Sequence, residues 1–177
     1  MVARAPRNHP RQIALRGGDP DLTDVVDCRE TPADFFAVLH AEHGFTLDAA
    51  ANADNAKLPR FFDRAQDGLA QSWAGEIVWC NPPYSNLWAW VAKAIAETRA
   101  GCPKVVMLLP GNRTEQTWWQ EMIEPVRDRG LGVATRFLRG RLKFKGSRTA
   151  PEAIKQGENR PPFGCVLVTF TKQGGTT

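Results

Sequence analysis

Apolar positions along this chain follow two rhythms, one helical and one strand-like, in alternation. Phe35, Phe36, Val38 and Leu39 recur at helical spacing up to Gly44. They predict a helix with Thr31 as N-cap and Pro32 at its first position. Phe45-Thr46-Leu47 reads as a short strand ending at Asp48, and the small residues Ala49, Ala50 and Ala51 follow. The stretch from Asn52 to Phe62 fits a short helix or a loop. Glu76-Ile77-Val78-Trp79-Cys80 is the pattern of a buried strand, stopped by a double proline. Asn86 then caps a helix through Arg99, with Leu87, Trp90, Val91, Ala94 and Ile95 on one face and Gly101 just past its end.

The second half repeats the alternation. Val105–Leu109 is an unbroken apolar run closed by Pro110, as in a strand buried within a parallel sheet. Thr114 is placed to cap a helix carrying Trp118, Trp119, Met122 and Ile123. Late strands are expected around Gly132–Leu138 and Cys165–Phe170. Strand–helix alternation of this kind predicts a three-layer α/β domain. Residues 1–20, rich in Arg, Pro and Gly, read as a flexible basic arm, which leaves 21–177 as a single domain. Gly146–Pro162 reads as a surface loop. No internal repeat is present.

Composition narrows the class. An apolar content of 42% over 177 residues is enough for one core. No run of about 18 apolar residues offers a membrane span. The N-terminus carries arginines without the apolar centre of a signal peptide, so a cytoplasmic location is expected. Cys28, Cys80, Cys102 and Cys165 are scattered and form no C-x-x-C pair, while His9, His40 and His43 do not converge with them. A metal site is therefore not expected. The net charge is +4, and its placement says more than its size. Arg4, Arg7, Arg11 and Arg16 lie in an acid-free stretch. So do Arg129, Arg136, Arg139, Arg141, Lys143, Lys145 and Arg148. Alone, such runs are most often solvated faces; with other signals they suit a polyanion.

Chemistry concentrates at Asn81-Pro82-Pro83-Tyr84, directly after an apolar strand. Ligands of open α/β sheets sit at the carboxyl ends of strands. The prolines fix φ and supply no N–H, which holds the local carbonyls in an extended turn. The Asn81 side-chain oxygen and the Pro82 carbonyl are then two acceptors for the two hydrogens of one –NH₂ group. Accepting both localises the nitrogen lone pair and aims it at an electrophile. Tyr84, the one tyrosine of the chain, offers a ring on which a base can stack, worth about 1–3 kcal/mol. The plain alternative is a strand-ending turn, and position between a strand and a capped helix favours the functional reading.

Further landmarks stand in order around this tetrapeptide. They are Thr31-Pro32, Phe45 to Ala51 with Asn55-Ala56-Lys57, Asp67-Gly68-Leu69 with Trp73, Leu108-Leu109-Pro110 with Thr114 and Trp118, Gly140 to Phe144, and Pro162-Phe163. In this order the chain resembles the phage-type DNA adenine-N6 methyltransferases, small single-domain enzymes of bacteriophages and prophages, over about four-fifths of its length. The resemblance implies an abbreviated Rossmann-like, three-layer methyltransferase fold with a mostly parallel sheet. It also implies S-adenosylmethionine as donor and a flipped adenine in DNA as acceptor. Asn81, Pro82, Pro83 and Tyr84 would form the catalytic turn. Asp48 would take the methionine end of the cofactor, Ala49 and Ala50 would admit it closely, Thr31 and Pro32 would lie over it, and Asp67 would stand near its adenosine half. Arg139, Arg141, Lys143 and Lys145 are the candidate DNA contacts.

Two departures from the family pattern bear on the fold. The Asp48 segment has no Gly-x-Gly, so close approach rests on alanines. Only 33 positions separate Asp48 from Asn81, so strand–helix units between them must be shortened or absent. Arg29 also stands where the family carries an aromatic. Trp88, Trp90, Trp118 and Trp119 are read mainly as core residues. Two other functions fit the same residues: methylation of another planar amino group, in RNA adenine or protein glutamine, and a catalytically silent DNA-binding module.

Overall fold

The computed structural model describes residues 30–144 and 163–172. The expected arm over residues 1–20, Cys28, Arg29, Lys145, Arg148 and the expected loop over Gly146–Pro162 lie outside the described residues. Five strands form one sheet: β1 (Leu47–Asp48), β2 (Ile77–Cys80), β3 (Lys104–Pro110), β4 (Val133–Phe137) and β5 (Cys165–Thr171). Three helices flank it: α1 (Ala33–His43), α2 (Leu87–Arg99) and α3 (Thr117–Met122). Among the described residues no helix is long and apolar enough to cross a membrane.

The strand order is β1-β2-β3-β5-β4. β1–β2 and β2–β3 pair in parallel, whereas β3–β5 and β5–β4 pair antiparallel. The sheet is therefore mixed, a correction to the mostly parallel one expected. Four strands share one direction, and β5, inserted between β3 and β4, runs against them. β3 is central, paired on both edges and buried on both faces, which explains its continuous apolar run.

The period-2 alternation of the strands splits the core in two. Val78, Val105, Met107, Val166, Val168 and Phe170 form one cluster with Trp90, Val91 and Ala94 of α2 and Trp118 and Trp119 of α3. Trp79, Val106, Leu108 and Leu167 join Phe36 and Leu39 of α1 on the other face. The three layers follow directly. Trp88 departs from the core reading for the tryptophans: it is 46% exposed, on the outer side of α2.

Two helix starts differ from expectation by one or two residues. α1 begins at Ala33 with Pro32 as its cap position, and the Pro32 carbonyl accepts from the Phe36 amide at 3.0 Å. Pro32 has ψ 138°, outside the helix, which is why the cap shifts from Thr31 onto the proline. Gly44 closes α1 in the left-handed region, its amide donating to the His40 carbonyl. α3 begins at Thr117 with Gln116 in the cap position, while Thr114 sits in the preceding turn and its carbonyl accepts from Gln120 Nε2.

Between β1 and β2 the described chain forms no helix and no strand. The Asn52–Phe62 stretch is a series of turns that returns alongside β1. Phe62 donates to the Asp48 carbonyl and Asp48 to the Arg60 carbonyl, each at 3.0 Å. The chain then passes Gly68, whose Cα lies against the Ala49 carbonyl and the Trp90 ring. A Cβ there would collide with a backbone oxygen that the sheet holds in place. Gly68→Ala is expected to cost about 1–3 kcal/mol, read as a lowered denaturant midpoint at unchanged slope.

Candidate functional site

The site forms where β1 and β2 end side by side. Asp48 is in register with Trp79, and Asn81 follows directly after the end of β2. Between the strand ends opens a cleft bordered by Glu30, Thr31, Asp48, Ala50, Lys57 and Asn81. Asn55 and Trp79 complete its wall. Its cavity volume is only about 20 Å³, far below the roughly 300–1,000 Å³ of ligand pockets.

Asp48 dominates the electrostatics. It is 3% exposed. Its Oδ2 accepts from the Lys57 amide at 3.0 Å, whereas Oδ1 is buried without a hydrogen-bond donor among the described residues. Burial raises its pKa to about 6, against the opposing pull of the Lys57 and Ala50 amides and the Lys57 charge. A buried carboxylate with one open oxygen is a site prepared for a donor, and a cationic donor best of all.

The turn that carries Lys57 is built by asparagines. Asn52 Oδ1 accepts from the amides of Asp54 and Asn55, and Asn55 Oδ1 accepts from the Asn52 amide. Lys57 Nζ then reaches Glu30 Oε1 at 2.7 Å, with both side chains largely buried. Glu30 and Lys57 were not singled out from the sequence. The ordered Asn55-Ala56-Lys57 landmark was the signal for Lys57, but its pairing joins residues 27 positions apart and has no local signature.

The expected cofactor residues separate into three groups. Thr31, Asp48 and Ala50 border the cleft. Pro32 starts α1 beside it, and Ala49 is fully buried, its amide bound to the Trp79 carbonyl at 2.9 Å and its own carbonyl backed by Gly68. Asp67 is exposed, outside the cleft, with φ 52°; its Oδ1 caps its own turn by accepting from the Leu69 amide at 3.1 Å. Trp73 locks that turn from behind, donating through Nε1 to the Gly68 carbonyl at 3.0 Å.

In the Asn81–Tyr84 turn, Asn81 and Pro83 are half-buried, while Pro82 and Tyr84 are buried. Tyr84 opens a short 3-10 turn, Tyr84–Asn86, that leads into α2. Arg113 Nη1, from the loop after β3, donates to the Tyr84 carbonyl at 3.1 Å and ties the two loops together. The Tyr84 ring is 6% exposed, with Phe163 at 6.1 Å between centroids, so it does not present an open face. Cys80, next to Asn81, is wholly buried, and its thiol is pushed well up by burial and by the Asp48 charge. It is a neutral packing residue, not a nucleophile. Among the described residues no group of three or more His, Cys, Asp or Glu could hold a metal ion.

Because β4 runs in the same direction as β1, β2 and β3, the segment after Phe137 emerges at the end of the sheet that carries Asn81. There Leu142 and Phe144 turn inward onto the α1 face, and Arg139, Arg141 and Lys143 are exposed. Arg136 instead pairs with Glu42 of α1 at 3.0 Å.

An α/β domain that brings a buried carboxylate and the asparagine of a strand-ending Asn-Pro-Pro-Tyr into one cleft has the make-up of an amino-group methyltransferase. The sequence model of the DNA N-6-adenine-methyltransferase (Dam) family matches residues 21–174, and the chain belongs to that family. It is 38% identical over 134 residues to the DNA N-6-adenine-methyltransferase of Haemophilus phage HP1, covering 71% of this chain and 74% of the phage protein. It is 33% identical over 99 residues to the DNA N-6-adenine-methyltransferase of Escherichia phage T1, covering 55% of this chain and 41% of that protein.

Proposed function

We propose that this enzyme methylates N6 of adenine in DNA, using S-adenosylmethionine and acting on a base taken out of the stack. The observation that carries the reading is the meeting of Asp48 and Asn81 in one cleft at neighbouring strand ends. The Asp48 oxygen without a donor fits the ammonium of the cofactor's amino-acid end. We read the parallel β1-β2-β3 portion, with its β2–α2–β3 crossover, as the Rossmann-like core in abbreviated form, within a single domain spanning residues 21–177.

Bound S-adenosylmethionine supplies an electrophilic methyl carbon on a sulfonium. The chain's own part is orientation and electrostatics. Asn81 Oδ1 and the Pro82 carbonyl accept the two amino hydrogens and direct the nitrogen lone pair outward. As the C–N bond forms, the methyl's C–S bond would break to leave a neutral thioether; both hydrogen bonds would strengthen while the nitrogen is cationic, and its surplus proton would then pass along one of them to water. Stacking of the base on Tyr84 replaces the present Phe163 contact, which offsets part of the few kcal/mol of unstacking. Arg139, Arg141 and Lys143, with Lys145, take the flanking phosphates.

The test is transfer of tritiated methyl from S-adenosylmethionine to separate DNA, RNA and protein acceptors. Label in DNA, recovered as N6-methyladenine, is the expected result. Label confined to RNA or to protein glutamine would move the substrate, and cofactor binding without transfer to any acceptor would favour a silent DNA-binding module.

A further inference from the structure

The cleft holds more charge than the transfer itself requires. Lys57 touches both carboxylates of the cleft: its amide donates to Asp48 Oδ2 at 3.0 Å and its ammonium to Glu30 Oε1 at 2.7 Å. An ammonium has three donors, and this hydrogen bond uses one. The Lys57 side chain is only 10% exposed, so its direction is fixed by Glu30 rather than by solvent. Beside it stands the buried Asp48 Oδ1, without a donor among the described residues. A cleft that offers an open carboxylate oxygen and an anchored ammonium together is the complement of a zwitterion. Its two carboxylates and one ammonium sum to −1. The zwitterionic head of a sulfonium amino acid, with the sulfonium included, sums to +1.

Resting on the S-adenosylmethionine reading above, we propose that Lys57, oriented by Glu30, binds the α-carboxylate of the methyl donor while Asp48 binds its α-ammonium. Lys57 is thereby the residue that selects an amino-acid-bearing nucleoside over the nucleoside alone. Glu30 is a positioning residue: it presets the ammonium, so that less side-chain freedom is lost when the ligand arrives. Asn81 lines the same cleft.

The experiment is calorimetric titration of the full-length protein with three compounds. S-adenosylhomocysteine carries both head-group charges, its decarboxylated analogue lacks the carboxylate, and 5′-methylthioadenosine lacks both. The unaltered protein is expected to bind the decarboxylated analogue at least tenfold more weakly than S-adenosylhomocysteine. In Lys57→Met that ratio is expected to collapse to within about twofold, through loss of affinity for S-adenosylhomocysteine alone. Lys57→Arg, which keeps the cation, is expected to retain most of the ratio. Equal weakening of both ligands in Lys57→Met would reduce Lys57 to a structural bridge and overturn the assignment. So would an unaltered protein that binds the two ligands equally, an outcome that needs no variant to fold. An unaltered protein that binds none of the three would instead overturn the cofactor reading on which the assignment rests.

Discussion

Asn81→Ala is expected to lower the rate of methyl transfer by at least a hundredfold while leaving S-adenosylhomocysteine affinity within about threefold. The physical ground is that an acceptor aimed at a developing charge acts mainly in the transition state. Deleting one such group costs on the order of 3–4 kcal/mol. Asn81 is half-buried at the end of β2, fixed by the rigid Pro82-Pro83 turn that follows. Truncation there removes an oxygen without opening a large cavity. Single-turnover kinetics with labelled donor would read the chemical step, and calorimetry would read the cofactor. Asn81→Asp keeps an acceptor at the same place and is expected to retain more activity than Asn81→Ala. Near-normal transfer by Asn81→Ala would remove the role assigned to this side chain.

The parts of this fold that were legible in the sequence are those with a local physical cause. Val78-Trp79-Cys80 and Val105–Leu109 are apolar on both faces because both faces of the sheet are covered, so their burial could be read directly. The short span from Asp48 to Asn81 excluded full strand–helix units, and between β1 and β2 the described chain indeed contains only turns and one bridge. Strand direction has no such signature. A buried strand reads alike in either sense, and nothing within Cys165–Thr171 marks that β5 runs against its neighbours. Helix caps failed for a related reason. Thr114 and Gln116 are both compatible with a cap, and the choice is settled by where Trp118 and Trp119 must enter the core. The site showed the same division. Asn81-Pro82-Pro83-Tyr84 is a contiguous motif and visible as such. Glu30 with Lys57, Gly68 beneath Ala49, and Phe163 beside Tyr84 are long-range pairs that only folding brings together.

Asp48 sets the larger thermodynamic consequence, because its burial pulls stability and function in opposite directions. Its folded pKa of about 6 lies above its ordinary value of 3.8, so the folded protein holds this proton more tightly than the unfolded chain. The contribution to stability is fully present below about pH 4 and is lost as pH rises through about 6. At pH 8 the buried charge therefore weakens the fold by roughly 3 kcal/mol relative to the protonated form. Asp48→Asn removes that charge and keeps an oxygen for the Lys57 amide. It is expected to raise Tm at pH 8 by on the order of 5–10 °C, with little gain at pH 4. The same change deletes the anion that faces the cleft, and S-adenosylhomocysteine affinity is expected to fall by a factor of about 10–100. In the unaltered protein the ligand's ammonium must first meet an ionised Asp48, so affinity should decline toward tenfold per pH unit below about 6. Asp48→Asn should lack that decline. Thermal scans at pH 4 and pH 8, paired with titrations at pH 5 and pH 7.5, read both effects in one protein. A variant that binds S-adenosylhomocysteine as tightly as the parent would show that the buried carboxylate serves the fold and not the ligand. A variant less stable than the parent at pH 8 would show that the charge is compensated within the fold before any ligand arrives.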